Sequence, residues 1–402
     1  MLRNLPFWAV ALGCLLRCIQ FYFKLFVGYD SSDLSIINPD ELGYLHRAAN
    51  LEEVRTVGRH WIYEWINSTA LNMFGEARTT FIALCLLNSI LFLLCGPMMI
   101  TIANQLEYSC RESTKVSKSI WCFILLWPTG IWVSVANLKD SIVAFLILIG
   151  VWGYNSFNSA LSGGKGVSTL KRSLIGILSF VTSVTILYPL RSYAAGILVC
   201  GVVFNELLSG SLTRRAGSMV VLSIALAPLW VFGSIGRDLS DLAAIASDVE
   251  SFVHTTNLRQ LSSGEELVVI NTTSQNIFVG ALYHALVPLP NIAQGERVYM
   301  FLAIATAVVM VLWLDIASSL KKAFAHERSR YTAIIIALFY GFYAISRGNA
   351  GPRQRFGTTD MLLAIIVIHG VASGGKPTPT RKLAYAVGSL FVIISIAYTA
   401  RV

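Results

Sequence analysis

Two adjacent carboxylates, Asp40 and Glu41, follow the first apolar segment of the chain in "NPDELGYLHRAAN", residues 38–50. A carboxylate within reach of a hydroxyl group can accept its proton as a general base. The same residues also predict a helix start, with Asn38 as N-cap and Pro39 at the first helical position. An acidic side chain in the first turn of a helix stabilises the helix by about 0.3–1 kcal/mol. The sequence leaves open whether the pair does chemistry or only begins a helix.

Basic residues recur in three other short polar segments. Lys139 and Asp140 lie in the joint of "WPTGIWVSVANLKDSIVAF", Arg191 lies in "YPLRSYAAG", and Arg353 and Arg355 lie in "SRGNAGPRQRFGTTDMLL". Ammonium and guanidinium groups match phosphate oxygens, so these positions predict an anion site. The alternatives are helix capping by Asn137 or Asp140 at the joint and salt bridges from the late arginines to acidic loops. For Arg191, snorkelling to a membrane interface is the default interpretation and a phosphate contact is the alternative.

The composition indicates which elements must position these residues. The chain has 402 residues, of which 55% are hydrophobic and only 13% are charged, whereas soluble domains carry about 25% charged residues. Apolar runs long enough to span a bilayer recur along the whole length. We predict an all-α polytopic bundle in one integral membrane domain, residues 1–402, with about eleven spans. These are 6–28, 79–104, 119–136, 141–157, 174–190, 193–209, 217–235, 297–317, 332–346, 361–372 and 383–400.

The distribution of lysine and arginine predicts the orientation. Short loops such as 158–173 and 318–331 are basic, which places them and the N-terminus in the cytoplasm of a multi-pass protein of the inner (plasma) membrane. These loops account for most of the +9 net charge, so no nucleic-acid partner is implied. Two long loops, 29–78 and 236–296, then face outward as a roof over the site. The first predicts two short interfacial helices, because "HWIYEWINSTALNMF" repeats Trp and Ile at helical spacing.

Other chemistries are not indicated by the sequence. It contains no P-loop, no strand-linked GxGxxG and no serine-hydrolase elbow. Its seven cysteines predict neither a disulfide framework nor a metal site, and the sequence offers no clear second ligand set for a metal.

Three segments resemble the GT-C class of membrane glycosyltransferases. "PDELGYLHRA" resembles the acidic motif of that family's first outer loop, including Tyr44, and "PTGIWVSVANLKDSIVAFLILIG" resembles its hairpin between the third and fourth helices. "GPRQRFGTTDMLLA" resembles a late Arg-Tyr-Arg-x-Pro segment, although Gln354 replaces the Tyr and no Pro follows Arg355.

The resemblance implies a function and a set of roles. The donor is a sugar linked to a polyprenyl phosphate, the acceptor is a lipid-linked glycan or another cell-envelope molecule, and transfer occurs on the outer face with inversion. Asp40 is then the catalytic base, with Glu41 beside it or exchanging roles. The implied substrate-binding residues are Lys139, Asp140, Arg191, Arg353, Arg355 and Tyr44. The cofactor stays unknown, and a divalent metal (Mg²⁺ or Mn²⁺) at Asp40 is an open alternative. A repeat-unit polymerase and a saccharide or lipid transporter are the rival functions.

Overall fold

The structure is a computed structural model that describes residues 5–30, 39–49, 61–106, 113–163, 167–208, 212–231, 312–345 and 356–372, with residues 382, 383, 385 and 386. These residues form helices and the turns between them, and no strand occurs among them. Four described helices are long and apolar enough to cross a membrane: Phe7–Tyr29, Ala77–Gln105, Asp140–Leu161 and Thr169–Leu190. A bent helix pair, Thr114–Leu126 with Pro128–Ser134, makes a fifth where the two helices are counted as one span. The described part is therefore an all-helical bundle of the kind found in polytopic membrane proteins, which agrees with the predicted fold class.

The helices are labelled in chain order. They are α1 (Phe7–Tyr22, continued by a π-helical segment, Phe23–Tyr29), α2 (Pro39–Ala49), α3 (Trp61–Phe74), α4 (Ala77–Gln105), α5 (Ser113–Leu126), α6 (Pro128–Ser134), α7 (Asp140–Gly163), α8 (Val167–Leu190), α9 (Ser192–Leu207), α10 (Leu212–Val231), α11 (Trp313–Ala325), α12 (Glu327–Ile345) and α13 (Met361–Ala372). A π-helical turn, Phe356–Asp360, leads into α13.

Several predicted elements are confirmed. The two short helices expected in the first outer loop are α2 and α3. The described part of α2 starts at Pro39, and its predicted N-cap, Asn38, lies outside the described residues. The predicted span 361–372 coincides with α13. The predicted span 383–400 and the loop 236–296 fall largely or wholly outside the described residues, as does most of the span 297–317.

Two predictions are wrong. The span 119–136 is not one helix, because α5 ends at Leu126 and α6 leaves it at an angle of 59°. Pro128 has no N–H to continue the helical ladder, which explains the break. The predicted inner loop 318–331 is also largely helical, since α11 and α12 run through it and are interrupted at His326. Its lysines and arginines suggested a loop, but they lie at the facing ends of these two helices.

The centre of the bundle is formed by α7 and α8, which run antiparallel in close contact. Gly153 of α7 faces Gly176 of α8, so the two backbones approach without intervening side chains. The neighbouring helix α9 runs parallel to α7, since Arg191 meets Asp140 at one end and Asn205 meets Tyr154 near the other. This arrangement brings the beginnings of α7 and α9 to the same end of the bundle.

The bundle has two chemically different ends. At one end, Gln105 of α4 donates to Ser156 of α7, and the lysines that begin α5 and α8 lie nearby in the chain. At the other end, α2 and α3 pack against the joint between α6 and α7. We call this joint, residues 135–140, the hairpin. The acidic motif and the hairpin therefore meet at the end remote from the basic one.

Candidate functional site

Glu41 is completely buried and contacts two distant parts of the chain. Its Oε1 accepts a hydrogen bond from Lys24 Nζ at 2.7 Å, and its Oε2 accepts the backbone N–H of Asn137 at 2.9 Å. The first bond comes from the π-helical segment and the second from the hairpin. Glu41 thus joins α2 to two other elements, a role that its position near a helix start did not reveal.

Asn137 is the centre of the contacts between the hairpin and the outer-loop helices. Its amide nitrogen donates to the Glu41 carbonyl oxygen at 3.1 Å and to Asn67 Oδ1 at 2.8 Å. Its Oδ1 accepts the hydroxyl of Tyr63 at 2.9 Å. Capping of the next helix was one sequence interpretation of this residue, but α7 begins at Asp140 and the Asn137 side chain is bonded to α2 and α3 instead.

Asn88 of α4 contacts the backbone of the hairpin. Its amide nitrogen lies 2.6 Å from the carbonyl oxygen of Ala136, 3.0 Å from that of Leu138 and 3.2 Å from the Tyr63 hydroxyl. Burial raises the pKa of the Tyr63 phenol well above its ordinary value, so the phenol remains a hydrogen-bond donor to Asn137 at neutral pH. The hairpin is thereby held through its backbone as well as its side chains.

Lys139 and Tyr44 also come together at this site. The ammonium of Lys139 lies 5.9 Å from the centre of the Tyr44 ring, within the range of a cation–π contact. The Tyr44 ring packs edge-on against Tyr63 with centroids 4.9 Å apart. Both residues are buried. The cation predicted for phosphate binding and the tyrosine of the acidic motif are therefore neighbours, although they are far apart in sequence.

Asp140 and Arg191 form a buried ion pair. Arg191 Nη2 donates to Asp140 Oδ1 at 2.6 Å, and the two side chains are 5% and 1% exposed. Arg191 occupies the single-residue joint between α8 and α9. Snorkelling to an interface was the default expectation for it, yet its guanidinium turns inward onto the first residue of α7.

The late segment reaches the same end of the bundle. The His369 side chain of α13 hydrogen-bonds the backbone of Leu106, which lies at the basic end, so the opposite end of α13 lies toward the hairpin. The preceding turn, Phe356–Asp360, packs against α7 and α12. Arg353 and Arg355 lie outside the described residues. For Asp40 only the helical backbone, next to Glu41, is described.

Some residues of the site were not among the sequence candidates. Lys24 faces Glu41 and lies 5.0 Å from the centre of the Trp132 ring, and Asn67, Tyr63 and Asn88 complete the network. A lone lysine in the first apolar segment and an asparagine inside an apolar stretch of α4 were the signals that could have identified two of them. Periodicity alone does not say which distant segment such a side chain meets.

The helix α3 turns a polar face toward the protein and an apolar face outward. Its buried face carries Tyr63, Glu64 and Asn67, whereas Trp65 is 58% exposed and Met73 is 75% exposed. An apolar cleft of about 310 Å³ lies between α3 and α4. It is lined by Trp65, Ile66, Thr69, Ala70, Met73, Phe74, Ala83, Leu84 and Leu87. An apolar outer face over a polar inner face suits a helix in contact with lipid.

The described residues contain no group of three His, Cys, Asp or Glu side chains that could hold a metal ion. Because the Asp40 side chain is not among them, the metal alternative at Asp40 stays a prediction. Comparison of the chain with protein-family models, with curated proteins and with solved structures finds no match. The apolar helices and the contacts of Glu41 define the class of the protein as a helical membrane protein with a buried polar site at one end.

Proposed function

We propose that the protein is a membrane glycosyltransferase that moves a sugar from a polyprenyl-phosphate donor to a lipid-linked glycan or another cell-envelope acceptor. One observation carries the proposal. The hydrogen bonds between Glu41 and Asn137 unite the acidic motif with a hairpin 96 residues away. A carboxylate motif and basic side chains then share one end of an apolar bundle, which is what transfer from a lipid phosphate requires.

The residues divide the chemistry between them. Asp40 accepts the proton of the acceptor hydroxyl, whose oxygen attacks the anomeric carbon as the bond to the phosphate oxygen breaks. This single displacement inverts the anomeric centre and releases polyprenyl phosphate. Lys139, together with Arg353 and Arg355, stabilises the negative charge on the leaving phosphate. Asp140 orients Arg191 through their ion pair, and Tyr44 packs beside Lys139.

The proposal includes a topology. About eleven spans cross the inner membrane, the N-terminus is cytoplasmic, and the hairpin end faces outward. The lysines that begin α5 and α8 support this orientation, because they lie at the opposite end of the bundle. The loops 29–78 and 236–296 cover the site in this arrangement.

The rival functions receive less support from the contacts. A transporter is expected to have charged groups near the bilayer midplane that bind cargo. Arg17, a charged residue within the first apolar segment, donates to Ser134 and to backbone carbonyls of α1 and α5. A repeat-unit polymerase would rely on arginines and would not need an acid in the first outer loop.

The test is sugar transfer by the purified protein in lipid nanodiscs, with polyprenyl-phosphate-linked glucose, galactose, mannose and arabinose as donors. Asp40→Asn is expected to lower the transfer rate about 10²–10⁴-fold, the usual contribution of a general base, while protein yield is unchanged. Asp30→Asn is the matched control, because Asp30 is an exposed acid paired with Arg78 near the same end of the bundle. Unchanged transfer in Asp40→Asn would return Asp40 to a capping role.

Glycan analysis of cells with and without the gene separates the alternatives. A repeat unit that lacks one sugar in cells without the gene indicates a transferase, whereas complete units that are not joined to each other indicate a polymerase. Envelope glycans that are identical in the two kinds of cell would overturn both enzymatic functions.

A further inference from the structure

Lys24 is a lysine enclosed by protein within the first apolar segment. It lies in the π-helical segment Phe23–Tyr29 and has no exposed surface. Its ammonium contacts Glu41 Oε1 at 2.7 Å and faces the ring of Trp132. π-Helical turns are rare and occur frequently at functional sites. A charged side chain at such a turn, directed at the acidic motif, therefore requires a physical reason.

Stability alone does not supply that reason. Taking two charges out of water is costly, and replacing a buried ion pair by apolar side chains of similar volume is often neutral or stabilising. Surrounding residues of this segment, such as Leu25, pack as apolar side chains without difficulty. What an ion pair adds over an apolar contact is direction, because the ammonium fixes one carboxylate oxygen at a defined point.

Glu41 is held from two sides and along its backbone. Lys24 binds one carboxylate oxygen, the Asn137 N–H binds the other, and the Asn137 side chain binds the Glu41 carbonyl oxygen. These three bonds fix the position and direction of the first turn of α2 relative to the hairpin. Asp40 is the residue immediately before Glu41 in that turn.

We infer that Lys24 is a positioning residue which, through Glu41, sets the first turn of α2 and with it Asp40 against the hairpin. The inference rests on the proposed function. It gives the two carboxylates of the motif different roles, since Asp40 takes the proton and Glu41 holds the helix. Lys24 itself does not touch the substrate. A misplacement of a reacting group by about 1 Å can cost on the order of 10²-fold in rate, so positioning of this kind has a measurable effect.

The experiment uses the full-length protein in lipid nanodiscs with four variants: Lys24→Arg, Lys24→Met, Glu41→Gln and the double variant Lys24→Met/Glu41→Gln. Gln at position 41 keeps an oxygen that can accept the Asn137 N–H. Two quantities are measured for each variant. One is hydrogen exchange of the backbone amides of α2, which requires no activity, and the other is kcat and KM for whichever donor sugar the wild type transfers.

Lys24→Met is expected to speed exchange of the α2 amides and to lower kcat by about tenfold or more, with the donor KM within about twofold, because the loss lies in orientation and not in donor binding. In Lys24→Arg, both kcat and the exchange rates of the α2 amides should stay close to the wild-type values. In the double variant, the α2 amides should exchange more slowly than in Lys24→Met or Glu41→Gln, and kcat should be higher than in either of them. The reason is that neither charge is then left buried without its partner. Arg78→Met is the matched control, because it breaks an exposed ion pair with Asp30 near the same end, and neither quantity should change.

Each contrary result has its own meaning. A double variant whose α2 amides exchange as slowly as in the wild type, but whose kcat is no higher than that of Glu41→Gln, would show that Glu41 itself does chemistry and would overturn the inference. A raised donor KM with unchanged kcat in Lys24→Met would place Lys24 in donor binding, and unchanged exchange in that variant would remove it from α2 altogether. If the wild type transfers none of the sugars, the proposed function fails, while exchange still decides whether Lys24 holds α2.

Discussion

Arg17 Nη2 donates to the carbonyl oxygen of Ile124 at 2.9 Å, and Ile124 is the residue whose helical partner would be the nitrogen of Pro128. Proline has no N–H, so this carbonyl loses its donor where α5 and α6 separate. Arg17 Nη1 donates in the same way to the carbonyl oxygen of Leu125 at 2.8 Å. A charge in the first span therefore completes the hydrogen bonds of a break in another span, which is how broken helices are tolerated within a membrane.

The first prediction concerns this contact. Arg17→Met leaves the Ile124 and Leu125 carbonyls without their donors, and each such buried group costs about 1–3 kcal/mol. The free energy of unfolding in nanodiscs should fall accordingly. Arg17→Lys keeps the charge but offers a single nitrogen, so its loss should be intermediate. Equal stability of Arg17→Met and the wild type would show that the break is satisfied by other groups.

The helices with clear local signals were predictable from the sequence. Pro39 with its flanking polar residues predicted the helix α2, the tight "PLR" turn predicted the joint at Arg191, and a short apolar run predicted α13. In each case the information lies within a few neighbouring residues. Capping, missing N–H groups and apolar periodicity act locally, so they can be read without knowing the rest of the fold.

The partners within the site were not predictable in the same way. Lys24 and Glu41 are 17 residues apart, Asn88 and Ala136 are 48 apart, and Arg17 and Ser134 are 117 apart. The sequence shows that each polar side chain needs a partner, but the choice is made by the packing of helices against each other. The bend of 59° at Pro128 decides where the hairpin lies, and a sequence gives no angle.

The second prediction tests the support of the hairpin by Asn88. Asn88→Asp replaces an amide donor with a carboxylate that faces the carbonyl oxygens of Ala136 and Leu138, so it adds repulsion to the lost hydrogen bonds. Asn88→Leu removes the hydrogen bonds without the repulsion and should destabilise less. The free energies of unfolding of the two variants in nanodiscs measure this difference. If Asn88→Asp were more stable than Asn88→Leu, the assignment of Asn88 as a hydrogen-bond donor would be contradicted.

The third prediction concerns the ion pair between Asp140 and Arg191. A double-mutant cycle with Asp140→Asn and Arg191→Met should give a coupling free energy of about 0.5–3 kcal/mol, because the two side chains are in direct buried contact. The same cycle on the exposed pair Asp30 and Arg78 should give less coupling, since water screens it. Additive effects of Asp140→Asn and Arg191→Met would mean that the buried pair does not act as a unit.

The fourth prediction concerns the crossing of α7 and α8. A Cβ on Gly153 would lie 2.7 Å from the Gly176 carbonyl oxygen and 2.8 Å from the Phe180 nitrogen. A Cβ on Gly176 would lie 2.6 Å from the Gly153 carbonyl oxygen. These are backbone atoms that cannot rotate away, so either Gly→Ala change must separate the helices, at a cost of about 1–3 kcal/mol in the free energy of unfolding.

Gly196 of α9 is the matched control for this crossing, because a Cβ built there meets nothing within 4 Å apart from its chain neighbours and the backbone of its own helix. Gly196→Ala should be neutral or stabilising, since alanine is favoured over glycine in a helix by up to about 1 kcal/mol. The double variant Gly153→Ala/Gly176→Ala should lose less than the sum of its single losses, because one separation of α7 from α8 makes room for both methyl groups. Fully additive losses, or a Gly196→Ala loss as large as that at Gly153, would show that the cost arises within each helix and not from the contact between them.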